Sequence, residues 1–123
     1  MTKIKKILVV EDDMIIQMFL SKIILNEGFE LTGEARKFEQ VMSCLEENPP
    51  DLVLMDIGIS GSKDGIETAE IIQQKYSIPI IFITGNSDES TLENAKKVNP
   101  IDFIFKPIDE LRLRRKLADL KSI

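Results

Sequence analysis

The sequence predicts a doubly wound α/β fold, (βα)5, with a five-stranded parallel sheet of order 2-1-3-4-5. Three observations predict it. Short apolar runs rich in β-branched residues alternate with longer segments of helical periodicity along the whole chain. Those runs are continuous rather than alternating, as in strands covered on both faces. Each is followed by a helical segment, so the strands must be parallel and joined by crossovers that place helices on both sides of the sheet. The 123 residues fit one domain, 1–123, large enough to fold on its own core.

Ile7 to Val10 reads as the first strand. Asp13 to Glu27 follows as a helix that stops at Gly28. Phe29 to Ala35 is the second strand, and Phe38, Val41, Met42 and Leu45 then share one helical face up to Asn48-Pro49-Pro50. Leu52 to Met55 is the third strand. Asp64 and Glu67 have capping-box spacing at the head of a helix running to Tyr76. Ile78 to Ile83 is the fourth strand, and Ser87 or Ser90 is expected to cap a helix reaching about Val98. Ile101 to Phe105 is the fifth strand. After Pro107, Leu113, Leu117 and Leu120 fall on one face of a last helix.

Composition excludes several kinds of chemistry. There is no histidine, hence no histidine-based triad, imidazole zinc site or phosphohistidine in this chain. One cysteine, Cys44, allows neither an internal disulfide nor a cysteine-rich metal site, and a reducing cytoplasm is the expected compartment. With no tryptophan and one tyrosine, stacking on single-stranded nucleic acid has little to work with. Net charge is −5, and the acidic body argues against direct nucleic-acid binding. No apolar run approaches the roughly 20 residues of a membrane span, and the run after the basic N-terminus is too short for a signal peptide.

In this architecture ligands sit beyond the carboxyl ends of the strands, where the strand order reverses. Glu11-Asp12-Asp13 stands after the first strand, Asp56 after the third, Thr84 after the fourth and Lys106-Pro107 after the fifth. The first and third strands are neighbours, so Glu11, Asp12 and Asp56 are expected to converge. Three carboxylates held together repel and raise one another's pKa. A hard divalent cation removes that cost, and oxygen-only ligands with room for water suit Mg2+. Such a cluster with a lysine beside it suits a phosphoryl group. Taken singly, each residue has a plainer explanation: a turn-capping Asp56, an N-capping Asp13, a β-branched strand residue Thr84, a solvated Lys106. One cap needs only one acid, which leaves Glu11 and Asp12 surplus.

Five pieces in order resemble a receiver domain of a two-component response regulator: Ile-Leu-Val-Val-Glu-Asp-Asp at 7–13, Leu-Val-Leu-Met-Asp at 52–56, Lys-Asp-Gly-Ile-Glu at 63–67, Ile-Pro-Ile-Ile-Phe-Ile-Thr-Gly at 78–85 and Asp-Phe-Ile-Phe-Lys-Pro at 102–107. The resemblance spans essentially the whole chain and implies a flavodoxin-like fold. It implies that Asp56 accepts a phosphoryl group from a sensor histidine kinase or a histidine phosphotransfer protein. Glu11, Asp12, Asp56 and the backbone carbonyl of Gly58 would hold Mg2+. Lys106 would pair with Asp56 and then with the phosphoryl group. Thr84 and Phe103 would form the switch, the Gly85 N–H would donate to the phosphoryl group, and the Lys106–Pro107 peptide would be cis. The chain would act as a signalling switch with weak self-phosphorylation and autodephosphorylation, not as a turnover enzyme. Its output would go to a downstream protein or domain.

The chain departs from the commonest family pattern in the loop Ile57 to Gly65, at Phe103 where tyrosine is frequent, and at Gly58 and Asn86, the positions that tune phosphoryl lifetime in the family. Three other readings compete. An aspartate-nucleophile phosphohydrolase wants a second acid two residues after the nucleophile, where Gly58 stands. A flavodoxin-like electron carrier places its phosphate loop after the first strand, whereas Thr84-Gly85-Asn86-Ser87 follows the fourth. A degenerate receiver would lack key side chains that are all present. Two surfaces are also marked. In the first helix Ile16, Phe19, Leu20 and Ile23 have core spacing, which leaves Ile15 and Met18 outward to dock on a partner's helical bundle. A weak homodimer is expected through the fourth helix, fifth strand and fifth helix, where Lys96, Lys97, Asp102, Arg112, Arg114 and Arg115 offer both charges.

Overall fold

Side chains alternate between the two faces of a strand, so every second residue of a central strand must meet a different helix layer. The computed structural model describes residues 3–85 and 88–121. Along it run β1 (Lys6–Val10), α1 (Met14–Asn26), β2 (Glu30–Ala35), α2 (Phe38–Glu47), β3 (Leu52–Asp56), α3 (Gly65–Tyr76), β4 (Ile80–Thr84), α4 (Glu89–Lys96), β5 (Asp102–Phe105) and α5 (Glu110–Lys121). The strands are parallel and ordered β2-β1-β3-β4-β5, as the sequence predicts.

Ile7, Val9, Leu52, Leu54, Ile81, Ile83 and Ile104 point to one face, where Leu20, Ile23 and Ile24 of α1 and Leu113, Leu117 and Leu120 of α5 cover them. Leu8, Val10, Val53, Met55, Ile80 and Phe82 point to the other, under Val41 and Leu45 of α2, Ala69 and Ile72 of α3 and Ala95 of α4. Ile7 to Val10 of β1, Leu52 to Met55 of β3 and Ile80 to Ile83 of β4 are therefore uniformly apolar. The edge strand β2 is fully buried only at Ala35, which explains its mixed composition.

Helix ends follow local chemistry. Asp13 caps α1, its side chain accepting from the Ile15 and Ile16 amides. The Asp64–Glu67 capping box at the head of α3 forms as predicted, with both reciprocal bonds present. The cap of α4 is Asp88, a correction to the expected serine: its carboxylate accepts from the Thr91 amide and from the hydroxyls of Ser90 and Thr91. Ser90 thus lies inside the first turn, while Ser87 and Asn86 lie outside the described residues. α4 also ends at Lys96, short of Val98.

The face that α1 buries differs from the expected stripe. Leu20 and Ile23 are buried, but Phe19 is 36 % exposed, and Gln17, Ser21 and Ile24 turn inward. The polar pair faces inward because it has partners there: Gln17 reaches the backbone carbonyls of Glu11 and Ala35, and Ser21 donates to Glu34. Among the described residues no helix is long and apolar enough to cross a membrane.

Asp64→Ala, which removes both bonds of the capping box, is expected to lower stability by about 1 kcal/mol in urea unfolding. Ser90→Ala is expected to stay within about 0.5 kcal/mol. Equal losses would contradict the assignment of the two caps.

Candidate functional site

Strand parity brings the charged residues together. Val9, Leu54 and Ile104 lie on the face covered by α1 and α5. Two residues further along each strand stand Glu11, Asp56 and Lys106, at the carboxyl rim of the same face. The ladder carries on far enough to hold them there: Glu11 N donates to Ala35 O, Ile57 N to Ile83 O and Lys106 N to Thr84 O. One carboxylate oxygen from each of Glu11, Asp12 and Asp56 lies within 4.8 Å of the others. The Lys106 ammonium sits 2.9 Å from Glu11 Oε1 and 3.4 Å from Asp56 Oδ2. A cleft of about 560 Å3 opens over this group, walled by Asp12, Asp56, Gly58, Thr84, Gly85, Asn94 and Lys106 among others.

Of the residues singled out in the sequence, Glu11, Asp12, Asp56, Gly58, Thr84 and Lys106 therefore meet in one place. Lys106 is nearer to Glu11 than to Asp56, the partner expected for it. Gly58 donates its N–H to Asp56 Oδ1 at 3.0 Å. Thr84 is buried in the cleft wall. Phe103 does not line the cleft. It lies half-buried on the neighbouring strand, its ring 5.9 Å from that of Phe82 and 6.3 Å from that of Phe105. The Lys106–Pro107 peptide is cis, as the resemblance implies.

Electrostatics mark Glu11. It is fully buried, and desolvation together with the adjacent Asp56 carboxylate pushes its pKa up to about 7, against the opposing pull of Lys106 and the Asp13 amide. Burial pulls the Lys106 ammonium down, but Glu11 and Asp56 more than offset this and hold it above the usual lysine value. Glu11 Oε2 accepts from the Asp13 amide. Its Oε1 is buried without a hydrogen bond, because the ammonium 2.9 Å away lies off the bonding direction. A buried carboxylate oxygen held by an ion pair alone, beside two further carboxylates and an open cleft, is a donor set that fits a small hard cation. With oxygen donors throughout and space for water, Mg2+ matches it best.

Other residues shape the site without having been singled out for it. Gly65 starts α3 so close to the end of β3 that a Cβ there would lie 2.2 Å from the Asp56 carbonyl oxygen. Only glycine allows that approach; its place after Asp64 in the quoted motif was the available signal. Gln17 and Arg36 hold backbone carbonyls of Glu11 and Asp12. The single polar residue in Met14 to Leu20 was a signal for Gln17; Arg36 gave none.

The family model for the response regulator receiver domain matches residues 7–118. The chain belongs to that family. This receiver domain is 32 % identical over 103 residues to the transcriptional regulatory protein PdtaR of Mycobacterium tuberculosis, a match covering 84 % of this chain and 50 % of the relative. It is 31 % identical to the probable C4-dicarboxylate response regulator DctR of Bacillus subtilis, covering 95 % and 52 %. The chain thus spans about half the length of these curated relatives. Among solved structures, the signal receiver domain of a modulated diguanylate cyclase from Desulfovibrio desulfuricans G20 matches with TM-score 0.86 at 31 % identity over 97 % of this chain and 94 % of that one. The receiver domain of NtrX from Brucella abortus matches with TM-score 0.85 at 27 % identity, covering 94 % and 98 %. The receiver family is one of signalling domains of two-component systems rather than of turnover enzymes, which sets aside the phosphohydrolase and flavodoxin readings.

The raised pKa of Glu11 has a stability consequence. The folded receiver domain binds a proton that the unfolded chain has already released between about pH 4.5 and about 7. Stability in the presence of a chelator is therefore expected to fall as pH rises through that window. Thermal unfolding at pH 5 and pH 8 should show the fall in the parent protein and a flatter profile in Glu11→Gln; matching profiles would count against the assignment.

Proposed function

We propose that this receiver domain, acting as a single domain, takes a phosphoryl group from a phosphohistidine on a partner protein onto Asp56. The observation that carries the reading is the meeting of Glu11, Asp12 and Asp56 within 4.8 Å, with Lys106 against two of them, beside an open cleft that Asp12, Asp56 and Lys106 line. A phosphohistidine donor has to lie outside these 123 residues, which contain no histidine; a small acyl phosphate is the other source.

A carboxylate oxygen of Asp56 forms the new O–P bond as the donor's P–N bond breaks, and the electron pair of that bond returns to the imidazole nitrogen. Glu11, Asp12, Asp56 and the Gly58 carbonyl would hold Mg2+, which when bound supplies charge neutralisation for the transferring group. Asp56 Oδ1 is fixed by the Gly58 amide, so the acceptor is oriented before the donor arrives. Lys106, 3.4 Å from Asp56 Oδ2, can follow the negative charge onto a phosphoryl oxygen. The Thr84 hydroxyl and the Gly85 N–H, both in the cleft wall, are the groups able to turn toward that dianion. Slow hydrolysis at the same site would reset the switch.

Movement of Thr84 would reach the partner surface through Phe103. The two belong to paired strands on the same sheet face, in the register Phe82↔Phe103 and Thr84↔Phe105. Phe103 lines a groove between β5 and α5 together with Phe105, Arg112 and Arg115. That groove is the face on which an output protein or a weak homodimer would be read. Asp102 is already paired with Lys116, and Arg114 lies 3.9 Å from Glu27, so a dimer would draw mainly on the remaining charges. The expected setting is the cytoplasm, with no direct contact to nucleic acid or membrane.

The donor protein is expected to dock on α1, where Ile15 is 80 % and Met18 65 % exposed beside the acidic rim. Patches of exposed Ile and Met are unusual unless covered by a partner. A helical bundle carrying the phosphohistidine fits this position.

Incubation with a small acyl phosphate and Mg2+ should add one phosphoryl group by mass spectrometry, lost on chelation and in Asp56→Asn; a group that persists in Asp56→Asn would place the acceptor elsewhere. The double variant Ile15→Lys/Met18→Glu should keep that small-donor reaction while transfer from the cognate phosphohistidine protein falls at least tenfold. Unchanged transfer from the protein donor would remove α1 as the docking surface.

A further inference from the structure

The β1–β2 ladder ends with Glu11 N donating to Ala35 O at 3.0 Å. Beyond that bond the two chains part, one toward α1 and the other toward α2. The Gln17 side chain spans the opening. It is 7 % exposed, and its Nε2 donates 3.1 Å to Glu11 O and 3.1 Å to Ala35 O. Two carbonyl oxygens can be answered only by the NH2 end of the amide, so the orientation of the group is determined. Helical side chains lean toward the helix N-terminus, which is why a residue in the first turns of α1 reaches back to the strand end.

Around the same turn every backbone carbonyl is engaged. Glu11 O is held by Gln17, Asp12 O by Arg36 Nη2 at 3.2 Å, and Asp13 O by the Gln17 amide at 2.9 Å. Gln17 therefore grips the turn twice, through its side chain and through its main chain. Arg36 is exposed and Gln17 is buried, so the glutamine is the stiffer of the two holds.

We propose that Gln17 is a positioning residue for the acidic turn, setting where Glu11 and Asp12 present their carboxylates to a divalent cation. The inference rests on the metal-site reading of the preceding subsection and goes beyond it to a residue outside the cleft. Gln17 touches no substrate and acts through the Glu11 backbone. Partners bonded directly to metal-ligating groups typically change affinity about 10–100-fold when removed, and a hold on the ligand's backbone acts one step further out, toward the lower end of that range.

Calorimetric titration of the intact chain with MgCl2 tests it, with urea unfolding run on the same samples. Gln17→Met keeps the packing volume and deletes both donors; it is expected to weaken Mg2+ binding about tenfold or more. Ile24→Val, in the same helix but facing the apolar core, lowers stability while leaving Mg2+ binding unchanged. Should Gln17→Met not fold, Gln17→Asn keeps the amide on an arm one methylene shorter, with the same expectation. Parent-like Mg2+ binding in the Gln17 variant overturns the proposal, as does an equal weakening in Ile24→Val, which would reduce the effect to general stability. If the parent chain itself binds no Mg2+, the metal-site reading fails first and takes this inference with it.

Discussion

The mutual repulsion of three carboxylates at one end of a parallel sheet is the constraint on which the rest of this structure depends. Two unit charges about 5 Å apart repel by on the order of 3 kcal/mol at an effective dielectric of about 20. A whole domain is stable by only about 5–15 kcal/mol, so such a cluster is a substantial burden for a chain of this size. Lys106 offsets part of it by lying against Glu11 and Asp56 at once. One ammonium among three acids leaves a negative site, and Glu11 Oε1 is left buried without a hydrogen bond. Burial above all, and the adjacent Asp56 carboxylate after it, push the Glu11 pKa up to about 7. A second cation brought to the cluster would relieve the repulsion, and so would a reaction that changes the charge on Asp56.

The fold creates this burden by geometry rather than by local preference. Parallel strands deliver their carboxyl ends to one rim, and strand parity gives Glu11, Asp56 and Lys106 a common face. The helices on that face, α1 and α5, seal the apolar part of the sheet with leucine and isoleucine up to the residue before the charges begin. On the opposite face α3 closes in so tightly that only Gly65 fits against the Asp56 backbone. The Asp56 carboxylate is thus held between a fixed backbone, the Gly58 amide and a lysine, while the cleft above stays open. Rigid surroundings and an open approach are what a group-transfer site requires.

Much of this was legible in the sequence. The central strands announce themselves because burial on both faces makes them uniformly apolar, and Leu113, Leu117 and Leu120 show the inner face of α5 by spacing alone. Asp64 and Glu67 could be paired because a capping box is local. The acids and the lysine could be placed because they stand directly after strands. What was not legible depends on partners distant in sequence. Periodicity put Phe19 in the core, whereas Gln17 and Ser21 take the inward positions because carbonyls and a carboxylate await them across the turn. Serines near position 88 looked like caps, but the aspartate between them offers a stronger acceptor to the same amides. That Lys106 lies nearer to Glu11 than to Asp56 is a matter of side-chain distance that no motif encodes.

The most direct test of the account is anomalous diffraction from crystals of this chain grown with Mn2+ as a stand-in for Mg2+. The account predicts one strong peak among the carboxylate oxygens of Glu11, Asp12 and Asp56, with Lys106 still within ion-pair distance of Asp56. A map with no anomalous peak among these oxygens at saturating Mn2+ would contradict it.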